Sequence, residues 1–163
     1  IKKLKNINYD KDGTIASKGK INFEIVNKYI EFEYCNLKNK HSLNREDFNF
    51  SFIRDLTFED GLATLTYFTS RIISEFINKS YKEDLNIILC GGGRKNKCLI
   101  DHLTKLTNNK IIKIDEYNIN GDFIESQAFA YLAIRSIMKK HISFRETTKV
   151  LSSCSGGELV DNS

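Results

Sequence analysis

The stretch "NIILCGGGRKNKCLIDHL", residues 86–103, sets three of the chain's nine glycines side by side directly after an apolar run. Ile87, Ile88, Leu89 and Cys90 form a short β-branched and aliphatic segment, while Leu99, Ile100 and Leu103 recur at helical spacing, so the stretch reads as strand, tight turn, helix. The first amides of a helix have no partners within it, and that end carries roughly half a positive charge. Glycines placed there let a backbone come close to a phosphate, because no Cβ holds the ligand off. Gly91, Gly92 and Gly93 therefore read either as a nucleotide-side turn or as a tight structural turn. The spacing is neither GxGxxG nor GxxxxGK[ST], since Lys95 stands two residues after Gly93 and is followed by Asn96. Asn96 either contacts the ligand or caps the helix.

Working outward, "KIIKID" at 110–115 reads as a second strand and "GDFIESQAFAYLAIRSIMKKH" at 121–141 as a second long helix. Upstream, "TFEDGLATLTYFTSRIISEFINKS" is the clearest helix of the chain. Phe58, Leu62, Leu65, Phe68, Thr69, Ile72, Phe76 and Ile77 form one stripe, and Thr57 with Asp60 offers an acidic capping box. Gly61 inside that helix predicts close packing against another element. "INFEIVNKYIEFEY" predicts an amphipathic helix with Ile21, Ile25, Tyr29 and Phe32 on its buried side. "KHSLNREDFNFSFI" predicts a loop with a short helix. The order helix, strand, helix, strand, helix belongs to the α/β class, helices packed on a sheet. Ligands in such folds collect beyond the carboxyl ends of strands, where both the glycine turn and the segment leading to Gly121 and Asp122 lie.

Bulk properties narrow the function classes. A chain of 163 residues suits one domain, able to bury roughly 70% of its unfolded surface. No repeat, low-complexity tract or Gly/Ser linker marks an internal boundary. Apolar residues are 40% and charged residues 28%, and no apolar run nears the roughly 18 residues a bilayer span needs. Cys35, Cys90, Cys98 and Cys154 lack CxxC spacing, which suits a reduced, cytoplasmic protein. The net charge of +4 is carried entirely by the first twenty residues, with Lys2, Lys3, Lys5, Lys11, Lys18 and Lys20 against Asp10 and Asp12. That distribution does not build the clustered basic face that nucleic acid requires. Proline is absent, so no turn can be read from it.

Other motifs are weaker. Asp122 and Glu125 have capping-box spacing, with Asp122 at the N-cap; alternatively Glu125, at a helix start facing a cleft, binds a polar substrate. Asn8, Asp10, Asp12 and Gly13 mimic the start of a calcium loop, but Gly19 stands where its bidentate glutamate should be. His41, His102 and His141 form no zinc-type array.

"CGGGRKNKCLIDHL", "NGDFIESQAFAYLAIRS" and "FRETTKVLSSCSGGELV", in that order and preceded by "YDKDGTIASKGKI" and "SLNREDFN", resemble the C-terminal half of anhydro-N-acetylmuramic acid kinases. Departures are Ser126 where alanine is common, His41 where lysine is common, and the tail. The resemblance implies a ribonuclease H-like fold of the actin, hexokinase and Hsp70 group. It implies an enzyme that opens 1,6-anhydro-N-acetylmuramic acid with water and phosphorylates its 6-position from Mg-ATP in cell-wall recycling. ATP and Mg2+ are thus the implied cofactors, a sugar the implied substrate, and a homodimer an implied assembly, with neither nucleic acid nor membrane as partner. Gly91, Gly92, Gly93 and Asn96 match the family's nucleotide-side motif, and Glu125 a glutamate near the sugar. The aspartate that serves as general base is expected upstream of Ile1, so no catalytic residue is assigned and the chain is expected to be inactive alone. The alternatives are a non-catalytic nucleotide- or partner-binding remnant and a related kinase acting on another sugar.

Overall fold

The computed structural model describes residues 6–34, 45–80 and 85–160. The basic residues Lys2, Lys3 and Lys5, together with Cys35 and His41, lie outside them. The chain divides into two compact units between Gly121 and Asp122.

In the first unit, helix α1 spans Phe23–Tyr29 and continues into a π-type turn at Ile30–Tyr34. Asn22 caps it, its side chain accepting from Ile25 N. The buried face is Val26, Tyr29 and Ile30, whereas the expected stripe member Phe32 is 73% exposed. The wider turn after Tyr29 rotates Phe32 off the buried side. Two 3-10 turns, Arg45–Asp47 and Phe50–Ile53, follow.

Helix α2, Phe58–Ser80, is the long helix expected. Its N-terminus keeps half of the predicted capping box: Asp60 N donates to Thr57 Oγ1 at 3.2 Å, but the Asp60 carboxylate turns outward and accepts from Lys20 N at 2.6 Å. Phe68 and Ile77 of the expected stripe are buried, and Phe76 is exposed. Gly61, Ala63, Thr64, Ser70 and Ser74 make up the rest of its buried residues. Ser70 Oγ donates to Thr66 O and to Leu99 O, so part of this small-residue surface packs on the next helix. The core gathers around Val26, Tyr29, Ile30 and Phe68, with Phe48, Phe52 and Leu65 against it. Tyr29 stacks on Phe52 at 4.4 Å and meets Phe68 edge-on at 5.2 Å.

Strand β1, Asn86–Leu89, a 3-10 turn at Gly92–Lys95, helix α3, Lys97–Leu106, and strand β2, Lys110–Lys113, form one βαβ unit. The strands pair in parallel, Asn86 opposite Lys110 and Leu89 opposite Lys113. A 3-10 turn, Ile114–Tyr117, closes the unit. This is the α/β arrangement expected, with a two-stranded sheet among the described residues.

In the second unit, helix α4 spans Ile124–Ile137 and a single helical turn spans Arg145–Thr148. Ser143 and Cys154 form an antiparallel bridge, and Ser136 Oγ donates to Gly156 O. The Asp122–Glu125 box is not formed: Phe123 occupies the N-cap without a side-chain bond, and Ser126 Oγ donates to Phe123 O. No helix among the described residues is long and apolar enough to cross a membrane.

Candidate functional site

The glycine turn is built from three different requirements. Gly91 has φ 74° and ψ −178°, backbone that only glycine adopts without strain. Its N–H donates to Gly121 O at 2.9 Å, and its carbonyl accepts from Arg94 Nη1 at 2.9 Å. Gly92 and Gly93 lie outside the left-handed region. A Cβ on Gly92 would meet nothing within 4 Å, and one on Gly93 only Leu99 Cδ2 at 3.8 Å. Neither packing nor torsion demands glycine at these two positions. What the missing side chains leave is open backbone beside the start of α3.

That open backbone lines a cavity of about 670 Å³ with Lys95 and Asn96, and Tyr9, Asp10, Lys11, Asp12, Leu62 and Thr66 complete the lining. Asn96 is the N-cap of α3, its Oδ1 accepting from Leu99 N at 3.0 Å. Of its two sequence readings, the cap is thus made, while the residue also borders the cavity. The Asp10 carboxylate is engaged by backbone, accepting from Ile15 N and Ala16 N, each at 2.9 Å. Lys11 and Lys95 stand in the lining beside Asp10 and Asp12, and the amide end of α3 adds its own partial positive charge. The chemistry of this lining suits a phosphate-bearing ligand. Among the described residues, no group of three or more His, Cys, Asp or Glu is placed to hold a metal ion.

Of the glycine motif, Gly92, Gly93 and Asn96 line the cavity, and Gly91 sets the turn beside them. Glu125 belongs to the other unit, exposed in the first turn of α4. The facing wall, Tyr9 to Asp12, includes two residues of the rejected calcium-loop likeness and none assigned to the site from sequence, although its neighbour Gly13 carries a signal. Gly13 has φ +74°, and a Cβ there would press on the Asn96 side chain, so this glycine seats the cap of α3.

A second cavity, of about 520 Å³, has Asp12, Gly13 and Lys97 in its wall along with Cys98 and His102. Cys98 Sγ and His102 Nε2 are 3.6 Å apart. Burial raises the Cys98 thiol, assisted by Asp10 and Asp101, so the thiol is not activated. Burial also lowers His102, with Lys105 acting in the same direction.

Strand, open glycine turn, capped helix and parallel return strand define an α/β protein with open backbone at the start of a helix. The family model described as anhydro-N-acetylmuramic acid kinase matches residues 1–161, and the chain belongs to that family. An anhydro-N-acetylmuramic acid kinase of Pelagibacter ubique (strain HTCC1062) is 46% identical over 99% of this chain and 45% of its own length. Similar proteins of the same name come from Zymomonas mobilis, 33% identical over 98% of this chain and 44% of that protein, and Caulobacter vibrioides, 32% over 93% and 41%. The chain thus spans less than half the length of these curated relatives. The expected placement as the family's C-terminal half is corrected by these matches, which cover the chain from its start; it stands as a part of the family's length.

Proposed function

We propose that this chain supplies one wall of the nucleotide site of an ATP-dependent kinase that converts 1,6-anhydro-N-acetylmuramic acid to N-acetylmuramic acid 6-phosphate. The observation that carries the reading is the empty Cβ space at Gly92 and Gly93 on a cavity that also holds Lys11 and Lys95. Family membership supports the same reading. ATP would supply the γ-phosphoryl group. Gly92 and Gly93 would offer backbone to the phosphates, Gly91 would set the turn, and Asn96 would fix the amide end of α3 toward them. Lys11 and Lys95 would offset phosphate charge, the kind of electrostatic support on which phosphoryl transfer depends. Mg2+ is commonly held by phosphates and one or two carboxylates, and Asp12, a residue of the cavity wall, would be the one to offer a carboxylate.

For the reaction to balance, water adds across the 1,6-anhydro bond, its oxygen going to the anomeric carbon. The freed 6-oxygen takes the phosphoryl group, and ADP leaves. Glu125 would serve on the sugar side, since its carboxylate is exposed and no capping box occupies it. The larger reading includes the ribonuclease H-like fold, a cytoplasmic setting and assembly as a homodimer.

The test uses the protein at its full encoded length. Mg-ATP binding measured by calorimetry, with turnover of the anhydro sugar, should both be present. Replacing Glu125 by Gln should lower turnover while the melting temperature holds. Binding of Mg-ATP without turnover of any 1,6-anhydro amino sugar would leave a nucleotide site and remove the proposed substrate.

A further inference from the structure

We propose that Arg94 is a positioning residue that holds the glycine turn in its nucleotide-facing shape, working through Asp115 and Gly91 without touching the ligand. The inference rests on the nucleotide reading given above. Arg94 sits between Gly93 and Lys95, both of which line the cavity, yet it turns the other way and is only 5% exposed. Its guanidinium makes a fork: Nε donates to Asp115 Oδ2 at 2.6 Å and Nη2 to Asp115 Oδ1 at 2.9 Å. The third nitrogen, Nη1, donates to Gly91 O at 2.9 Å. Gly91 N is meanwhile held by Gly121 O. Both polar backbone groups of Gly91 are therefore tied to the segment that follows β2, the N–H directly and the carbonyl through Arg94.

Gly121 completes the device. A Cβ there would lie 2.3 Å from Arg94 Nε and 2.6 Å from Cζ, so the guanidinium lies in the space a side chain would need. Glycine is free to leave the Gly91 conformation for many others, and an unfastened turn would lose its open backbone to that freedom. Only a planar fork with several fixed donors serves both Asp115 oxygens and a carbonyl at once. Lysine, a point charge on a flexible stem, does not. The arginine holds the Asp115 carboxylate well below the usual carboxylate range. Asp115 is thus charged in the folded protein above its ordinary value near 3.9, and the pair is lost only as pH falls through the lower folded value. The fastening is then constant across the neutral range where a kinase is assayed.

The experiment uses the protein at its full encoded length and Mg-ATP as the probe, with dissociation constants from calorimetry and melting temperatures alongside. Holding a binding loop in its bound shape raises affinity by cutting the ordering cost, and a loss in Mg-ATP affinity on the order of tenfold is expected for Arg94→Ala and Arg94→Lys alike. Added guanidinium ion should restore part of the loss in Arg94→Ala. Asp115→Asn, which alters a half-exposed side chain and keeps its shape, should weaken binding in the same direction and carries the test if the arginine variants do not fold. Failure of the unaltered protein to bind Mg-ATP overturns the nucleotide reading beneath the inference. Normal binding by the unaltered protein together with unchanged affinity in folded Arg94→Lys and Asp115→Asn overturns the positioning role alone. So does a fall in melting temperature with unchanged affinity in the folded fraction.

Discussion

Replacing Gly91 and Gly92 separately by alanine should move stability in opposite directions while weakening nucleotide binding in both cases. At Gly91 a Cβ would touch nothing within 4 Å, so the penalty is purely torsional. Its φ of 74° and ψ of −178° lie in a region that costs an L residue of order 1–3 kcal/mol. At Gly92 the Cβ also meets nothing and φ lies outside the left-handed region, so alanine fits unstrained. Restricting the unfolded chain there should then stabilise by roughly 0.4–1 kcal/mol. Thermal unfolding reads the difference, at about 2–4 °C per kcal/mol for a domain of this size. Calorimetry with Mg-ATP reads the function: the Gly92→Ala methyl would occupy the space through which the phosphates are proposed to approach. Gly92→Ala that is as stable as the parent and binds Mg-ATP equally well would refute the reasoning, because the open Cβ space would then be ordinary loop surface. Gly91→Ala without any loss of stability would refute the strain at that residue.

Three further perturbations test the frame around the turn. Gly19→Ala would set a Cβ 2.1 Å from Glu59 O, a backbone atom at the start of α2, and overpacking of this kind should cost about 1–3 kcal/mol in urea unfolding; an unchanged midpoint would show the segment yields freely. Phe68→Ala removes the buried centre of the aromatic cluster and should cost about 3–5 kcal/mol, while a loss under about 1.5 would mean that the cluster collapses onto the space. His102 has its folded pKa lowered by burial and by Lys105, with Asp101 opposing. Its neutral ring therefore contributes fully above the unfolded value near 6.5, and that contribution is lost as pH falls through the folded value. The melting temperature of the unaltered protein should drop more between about pH 7 and about pH 5 than that of His102→Gln, and equal slopes would remove His102 as the source.

The βαβ unit was legible because its signals are local. Apolar residues run together through β1, three glycines interrupt, and the period changes to helical within about ten residues. The stripe expected on α1 holds at Tyr29 and fails at Phe32, because the π-type turn at Ile30–Tyr34 breaks the 3.6-residue rhythm. On α2, the large apolar side chains point to Phe68 and Ile77 and Gly61 to its packing beside Ile53, but nothing in the pattern points to the face made of Ala63, Ser70 and Ser74. Small residues carry little hydrophobic signal, yet they are what allows close packing and direct bonds such as Ser70 Oγ to Leu99 O. The glycine motif was visible; its opposite wall at Tyr9 to Asp12 was not, since some eighty positions of sequence separate it from the turn. Asp12 and Gly13 stand in a stretch whose likeness to a calcium loop fails at Gly19, and their positive φ values serve a turn that seats Asn96.

Helix α2 explains how a short sheet, two-stranded among the described residues, can hold a site steady. It reaches the core through Phe68 and the cavity through Leu62 and Thr66. Ser70, buried between those tasks, bonds to α3, whose first turn adjoins the glycines. Thr64 Oγ1 accepts from Asn22 N and the Asp60 carboxylate from Lys20 N, which ties the segment leading into α1 to the same helix. A two-stranded sheet is marginal by itself and needs packing against helices to be stable. The position of α3, and with it the direction of its amide end, is therefore set more by α2 than by strand pairing. Cavity-forming substitutions on α2 should accordingly disturb the glycine turn even where they leave every residue of that turn in place.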